Sequence, residues 1–119
     1  MTYKNNGDGL SSLSVRQLRA RRRRLVKGLP DLEGLLRGSL VEQGRRCGKA
    51  GCRCSRGELH GPYVYLTVGR GPALSRLVYV PSSLTEQVRS RVELTAAAET
   101  TLEEISAINL ELLRRRELA

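Results

Sequence analysis

All three cysteines and the single histidine of this chain fall within one short window, Cys47-Gly-Lys-Ala-Gly-Cys52-Arg-Cys54 and then His60. Three thiols and one imidazole make a complete ligand set for a tetrahedral metal ion. Gly48 and Gly51 allow the backbone to turn sharply between the first two sulfurs and to aim amide N–H groups at them. Three sulfurs and one nitrogen suit Zn2+. Four protein ligands leave no position for a substrate, so the site is expected to be structural. The competing reading is three separate thiols, buried or reactive, and an unrelated histidine. Iron–sulfur ligation and a redox-sensing thiol cluster are minor alternatives. His60 is the loosest member, because Gly57 precedes it and a residue of a second chain is the alternative fourth ligand. The Cys-x-Cys pair departs from the usual finger spacing.

A metal crosslink matters more here than in most chains of 119 residues. There is no Phe, no Trp and only four Tyr, so Leu, Val, Ile and Ala must build the core. Small domains short of apolar surface often need a metal or a partner chain. The predicted fold is α+β. A flexible tail over 1–11 precedes one domain over 12–119. That domain comprises a basic helical segment (14–37), a metal knuckle (38–61), a β-hairpin (62–81) and a long helix (82–117).

The local signals are as follows. Ser14 and Gln17 have capping-box spacing, so a helix is expected over 14–27. Its apolar stripe (Val15, Leu18, Leu25, Leu29) is interrupted by Arg22. Gly28 and Pro30 break it, and a second helix is expected over 31–37, weakened by Gly34. Leu40-Val41 is a candidate edge strand that would make the sheet three-stranded. Residues 63–68 and 75–80 alternate about a turn near 72, pairing Tyr65 with Tyr79, Leu66 with Val78 and Val64 with Val80. Val64, Leu66, Val78 and Val80 then form an aliphatic core face. The opposite face carries Tyr63, Tyr65 and Tyr79, as a second core face against a helix or as a stacking surface for bases. Ser83 and Glu86 offer a second capping box. Leu84, Val88, Arg91, Thr95, Ala98, Leu102, Ile105, Asn109 and Leu112 step by threes and fours, a heptad seam. This coiled-coil pattern must pair with the N-terminal helix of its own chain or with a second copy.

The Cys47-Gly-Lys-x-Gly-Cys52-Arg-Cys54 run, Gly57-Glu-Leu-His60-Gly-Pro-Tyr63, a hairpin ending in Tyr79-Val-Pro81 and the long helix together resemble a family of small prokaryotic proteins of unknown function. The resemblance covers about residues 37–119. Ala50 stands where many members are expected to have proline, a change that touches no ligand. The resemblance implies that the Cys/His cluster is a unit and implies no reaction.

Net charge is +9, and the excess lies entirely in residues 1–60, which carry fourteen Lys/Arg against five Asp/Glu. Such a one-sided field favours polyanions such as DNA or RNA, or anionic membrane surfaces, of which nucleic acid is the partner expected here. Arg19, Arg21, Arg22, Arg23 and Arg24, with Arg45, Arg46, Lys49 and Arg53 around the metal, are the candidate phosphate contacts. The duller reading pairs the helix arginines with the glutamates of the long helix and sets the loop bases against thiolate charge. No nucleophile–base pair or phosphate-binding glycine loop is present, so no enzyme is expected. The alternative function is an adaptor that dimerises or docks on a partner protein through residues 84–113, its mark being Asn109 in the seam. No stretch reads as a signal peptide or a membrane span, and clustered thiols suit a reducing cytoplasm.

Overall fold

The computed structural model describes residues 9–69 and 74–119. They form an α+β layout whose contacts divide into two compact units. The first comprises the residues up to Gly34 together with Leu94–Ala119, and the second is Leu35–Glu93.

In the first unit a 3-10 turn, Leu10–Ser12, leads into helix α1, Val15–Lys27. The predicted capping box is present: the Gln17 N–H donates to Ser14 Oγ (3.1 Å) and the Ser14 N–H donates to Gln17 Oε1 (2.8 Å). Each bond satisfies a donor that the helix start would otherwise leave free. Gly28 ends α1, its N–H returning to the Arg24 carbonyl at 3.1 Å. Beyond it the helix expected over 31–37 is reduced to one 3-10 turn, Leu32–Gly34. Asp31 Oδ1 accepts from the Glu33 N–H (3.1 Å), a local bond that competes with helix, and Gly34 follows at once.

Helix α2, Thr85–Arg114, runs for 30 residues without Gly or Pro. It starts behind a 3-10 turn, Ser82–Leu84, rather than on a Ser83 cap, and Thr85 Oγ1 donates to the Pro81 carbonyl at 3.2 Å. Its C-terminal part pairs with α1 of its own chain. Leu18 of α1 is buried with Ile108 and Leu112 of α2 and with Leu10. Leu10 is expected in the tail, but the 3-10 turn folds it into this cluster; residues 1–8 of that tail lie outside the described residues. Arg115 holds the turn in place. Its guanidinium donates to the carbonyls of Leu13 (2.6 Å), Leu10 (3.0 Å) and Ser11 (3.2 Å) and pairs with Glu111 at 2.8 Å.

The buried positions of α2 are Thr95, Ala98, Ile108 and Leu112. Leu102, expected in the seam, is exposed, and Ile108 is buried in addition to the predicted set. A straight helix of period 3.6 drifts away from a strict seven-residue repeat. Asn109 accepts a hydrogen bond from Arg22 Nη1 at 2.6 Å. The two polar residues that interrupt the apolar stripes of their helices thus meet each other within one chain.

The second unit is built on a three-stranded antiparallel sheet in the order β1 (Ser39–Arg45), β2 (His60–Val68), β3 (Arg76–Val80). The β2–β3 register is the predicted one, Val64 opposite Val80, Tyr65 opposite Tyr79 and Leu66 opposite Val78. Residues 70–73, where the turn is expected, lie outside the described residues. On the aliphatic face Leu66 and Val80 are buried, but Val78 is exposed. Strand β1 reaches further than the Leu40-Val41 signal, pairing Ser39 with Thr67 through Gln43 with Tyr63.

Candidate metal centre and basic surface

Three of the four predicted ligands sit in the loop that joins β1 to β2, and the fourth opens β2. Cys47 follows β1 by two residues. Cys52 caps a 3-10 turn, Arg53–Arg56, on which Cys54 lies. His60 is the first residue of β2. Gly57 does more than loosen the segment before His60: in the left-handed conformation (φ 103°), it ends the 3-10 turn and sends the chain back towards the sheet. The ladder is irregular between Gln43 and Arg45, where β2 carries one more residue than β1 and His60 comes opposite Arg45. Gly61 makes that irregularity possible. Its φ is 101°, and a Cβ there would lie 2.6 Å from the Tyr63 nitrogen. The sheet irregularity therefore sets the imidazole at the mouth of the cysteine loop.

The four ligand atoms all lie within 4.8 Å of one another. The sulfurs of Cys47 and Cys54 are 3.5 Å apart, and Cys52 Sγ is 3.1 Å from His60 Nε2. With a metal–sulfur bond of about 2.3 Å, tetrahedral ligand sulfurs stand about 3.8 Å apart, so only a small adjustment separates this cluster from a coordination shell. All three cysteines are free thiols, and Cys54 is fully buried. His60, the doubtful ligand of the sequence reading, is in the cluster beside all three sulfurs.

Backbone amides support the sulfurs, as the two glycines of the loop predict. The Cys47 N–H donates to Cys54 Sγ at 3.2 Å. The Cys54 amide, together with the neighbouring Cys47 thiol, draws the Cys52 thiol down from 9.0 to about 6. Cys47 moves the opposite way: the Lys49 amide lowers it, but the adjoining Cys52 and Cys54 thiols more than offset that and raise it. A bound cation would deprotonate all three.

The candidate phosphate contacts fall into two groups, one in each unit. On α1, Arg21, Arg23 and Arg24 are exposed. Arg19 and Arg22 face their own chain instead. Arg19 donates to the carbonyls of Glu117 (3.1 Å) and Ala119 (3.0 Å) and lies 3.6 Å from the Glu117 carboxylate. In the metal loop, Arg46, Lys49 and Arg53 are exposed, and none forms an ion pair among the described residues. Arg45 is stacked on an aromatic ring, its guanidinium carbon 4.5 Å from the Tyr65 centroid, with Nε donating to the Tyr65 hydroxyl at 3.0 Å.

Sequence reasoning missed Arg115, whose three carbonyl contacts tie the chain's two ends within one unit. Nothing in the run Arg114-Arg-Arg116 distinguishes it from its neighbours. It also did not decide the role of the tyrosines. Of the residues expected as a second core face or as a stacking surface, Tyr63 and Tyr79 are exposed and Tyr65 is half-buried.

No helix among the described residues is long and apolar enough to cross a membrane. No curated protein matches the chain, and no solved structure does. A family model does match, over residues 15–90. The match takes in α1, the metal loop, the sheet and the start of α2, so it begins earlier than the resemblance read from the cysteine motif and ends within the long helix. On that coverage the chain belongs to a family described as a domain of unknown function, DUF6788.

Proposed function

We propose that the protein is a small zinc-stabilised nucleic-acid-binding accessory protein without enzymatic activity. Zinc is supported by the donor set, three thiolates and an imidazole within reach of one ion, and by a closed shell that leaves no site for chemistry. Reduced thiol ligands of this kind suit the cytoplasm. One observation carries the binding reading: Arg46, Lys49 and Arg53 are exposed on the loop that the metal would fix and form no ion pair among the described residues. A rigid loop presents its charges to phosphates at less entropic cost than a mobile one. Arg21, Arg23 and Arg24 of α1 add a second set of phosphate contacts.

The reading is tested by titrating fluorescent DNA and RNA oligonucleotides, single-stranded and duplex, at several salt concentrations. Affinity should fall by orders of magnitude between about 50 and 200 mM salt, as counterion release requires. Absence of binding at low salt would overturn it.

A second reading, docking of a protein partner or a second copy on α2, is supported by the exposed side chains of Leu102, Leu110 and Leu113. Its register mark is weakened, because Asn109 bonds Arg22 of the same chain.

A further inference from the structure

We propose, on the reading that the chain binds nucleic acid, that the open face of its sheet is a stacking platform for the unpaired bases of a single strand. Every tyrosine among the described residues lies on that face: Tyr63 and Tyr65 on β2 and Tyr79 on β3. With no Phe or Trp for its cores, the chain still leaves two of these three rings exposed. Tyr79 is 54% exposed and Tyr63 38%. Rings recruited for folding would be the most buried groups available, because each covers more apolar area than any aliphatic side chain.

The rings leave one another accessible. Tyr79 stands edge-on to both neighbours, with centroids at 5.9 Å from Tyr65 and 6.3 Å from Tyr63, and planes inclined at 66° and 74°. Tyr63 and Tyr65 repeat along one strand at about 7 Å, twice the 3.4 Å step of stacked bases. That spacing suits bases splayed apart, each against its own ring. Tyr65 is the anchored member, since Arg45 covers one of its faces and binds its hydroxyl. Arg45 in turn sets a fixed positive charge at the edge of the platform, where a phosphate between two splayed bases would lie.

Charge identifies the occupant. The three strands contain one carboxylate, Glu42, which pairs with Val64 and so belongs to the aliphatic face. The tyrosine face therefore carries Arg45 and no acid from the strands. An aromatic surface for a cationic ligand, such as a methylated lysine, would need the reverse. Paired bases expose no ring faces along a duplex, so the platform discriminates in favour of single strands.

Tyrosine emission is the native reporter, because the chain has no Trp and three of its four tyrosines lie on this face. Oligo-dT and oligo-U should quench it and bind at least tenfold tighter than a duplex of equal length, the two arms separating DNA from RNA. Tyr79→Ala should weaken single-strand binding about tenfold, within the range for loss of one stacked base. The dependence on salt should not change, and Tyr79→Phe should bind as the parent does. Circular dichroism and metal content verify the fold, and Tyr63→Leu repeats the test at a second ring. Equal affinity for single strand and duplex, with neither substitution affecting it, would overturn the platform while leaving the electrostatic reading intact. Loss of all nucleic-acid binding at low salt would end both. Binding of a proline-rich peptide to the same rings, without quenching by oligonucleotides, would also refute the platform.

Discussion

The two units solve the same shortage of apolar surface in different ways. The helical unit closes on carbon: Leu18, Ile108 and Leu112 are almost wholly buried, with Leu10 beside them. Ion pairs and carbonyl contacts from Arg19, Arg22 and Arg115 seal its edges. The sheet unit has little of this. Among its described residues the buried aliphatic ones are Leu66 and Val80, and the third buried apolar residue is Cys54, a ligand of the candidate metal site. A three-stranded sheet that buries so few side chains lacks the hydrophobic face such sheets need for independent stability. If the candidate site holds a metal, the contrast puts its contribution to stability in the sheet unit.

The largest expected effect follows from that contrast. Chelation, or Cys54→Ala, should abolish amide protection over β1, β2 and β3 while α1 and residues 108–114 stay protected in hydrogen exchange. Metal binding at such sites is worth about 10–16 kcal/mol, comparable to the whole stability of a small domain. Simultaneous loss in both units, or in neither, would break the comparison. Leu112→Ala should act the other way round. It should cost about 2–5 kcal/mol in denaturant unfolding of the helical unit, with metal content unchanged. The smallest effect sharpens the helix pairing. Asn109→Leu removes the acceptor of a half-buried guanidinium and should cost about 1–3 kcal/mol, most of it recovered by adding Arg22→Leu. Mass in solution should stay constant. A change of oligomeric state in Asn109→Leu would favour docking through residues 84–113 instead.

Much of this was legible in the chain because the signals were local and periodic. Alternation gave the hairpin register from Val64–Val80 to Leu66–Val78, and Ser14 with Gln17 gave the start of α1. The Cys/His cluster was legible because its members are rare residue types held in one window. The failures have physical causes. In β1 the alternation is interrupted by Glu42, Gln43 and Gly44, so the strand looked shorter than it is. Leu10 read as tail because a 3-10 turn has no periodicity to display. Leu102 and Val78 carried correct patterns but lie exposed, since period assigns a face and not what covers it.

The placement of the four candidate ligands where one strand passes into the next has a consequence for assembly. An ion captured by 14 consecutive residues, Cys47 to His60, closes only a short loop, and the entropy of closure is correspondingly small. Capture needs no distant part of the polypeptide, so it can precede strand pairing and hold Arg45 against His60 while the ladder zips outward. Availability of the ion during synthesis, rather than the finished sheet, would then set the pace at which this half of the molecule becomes native.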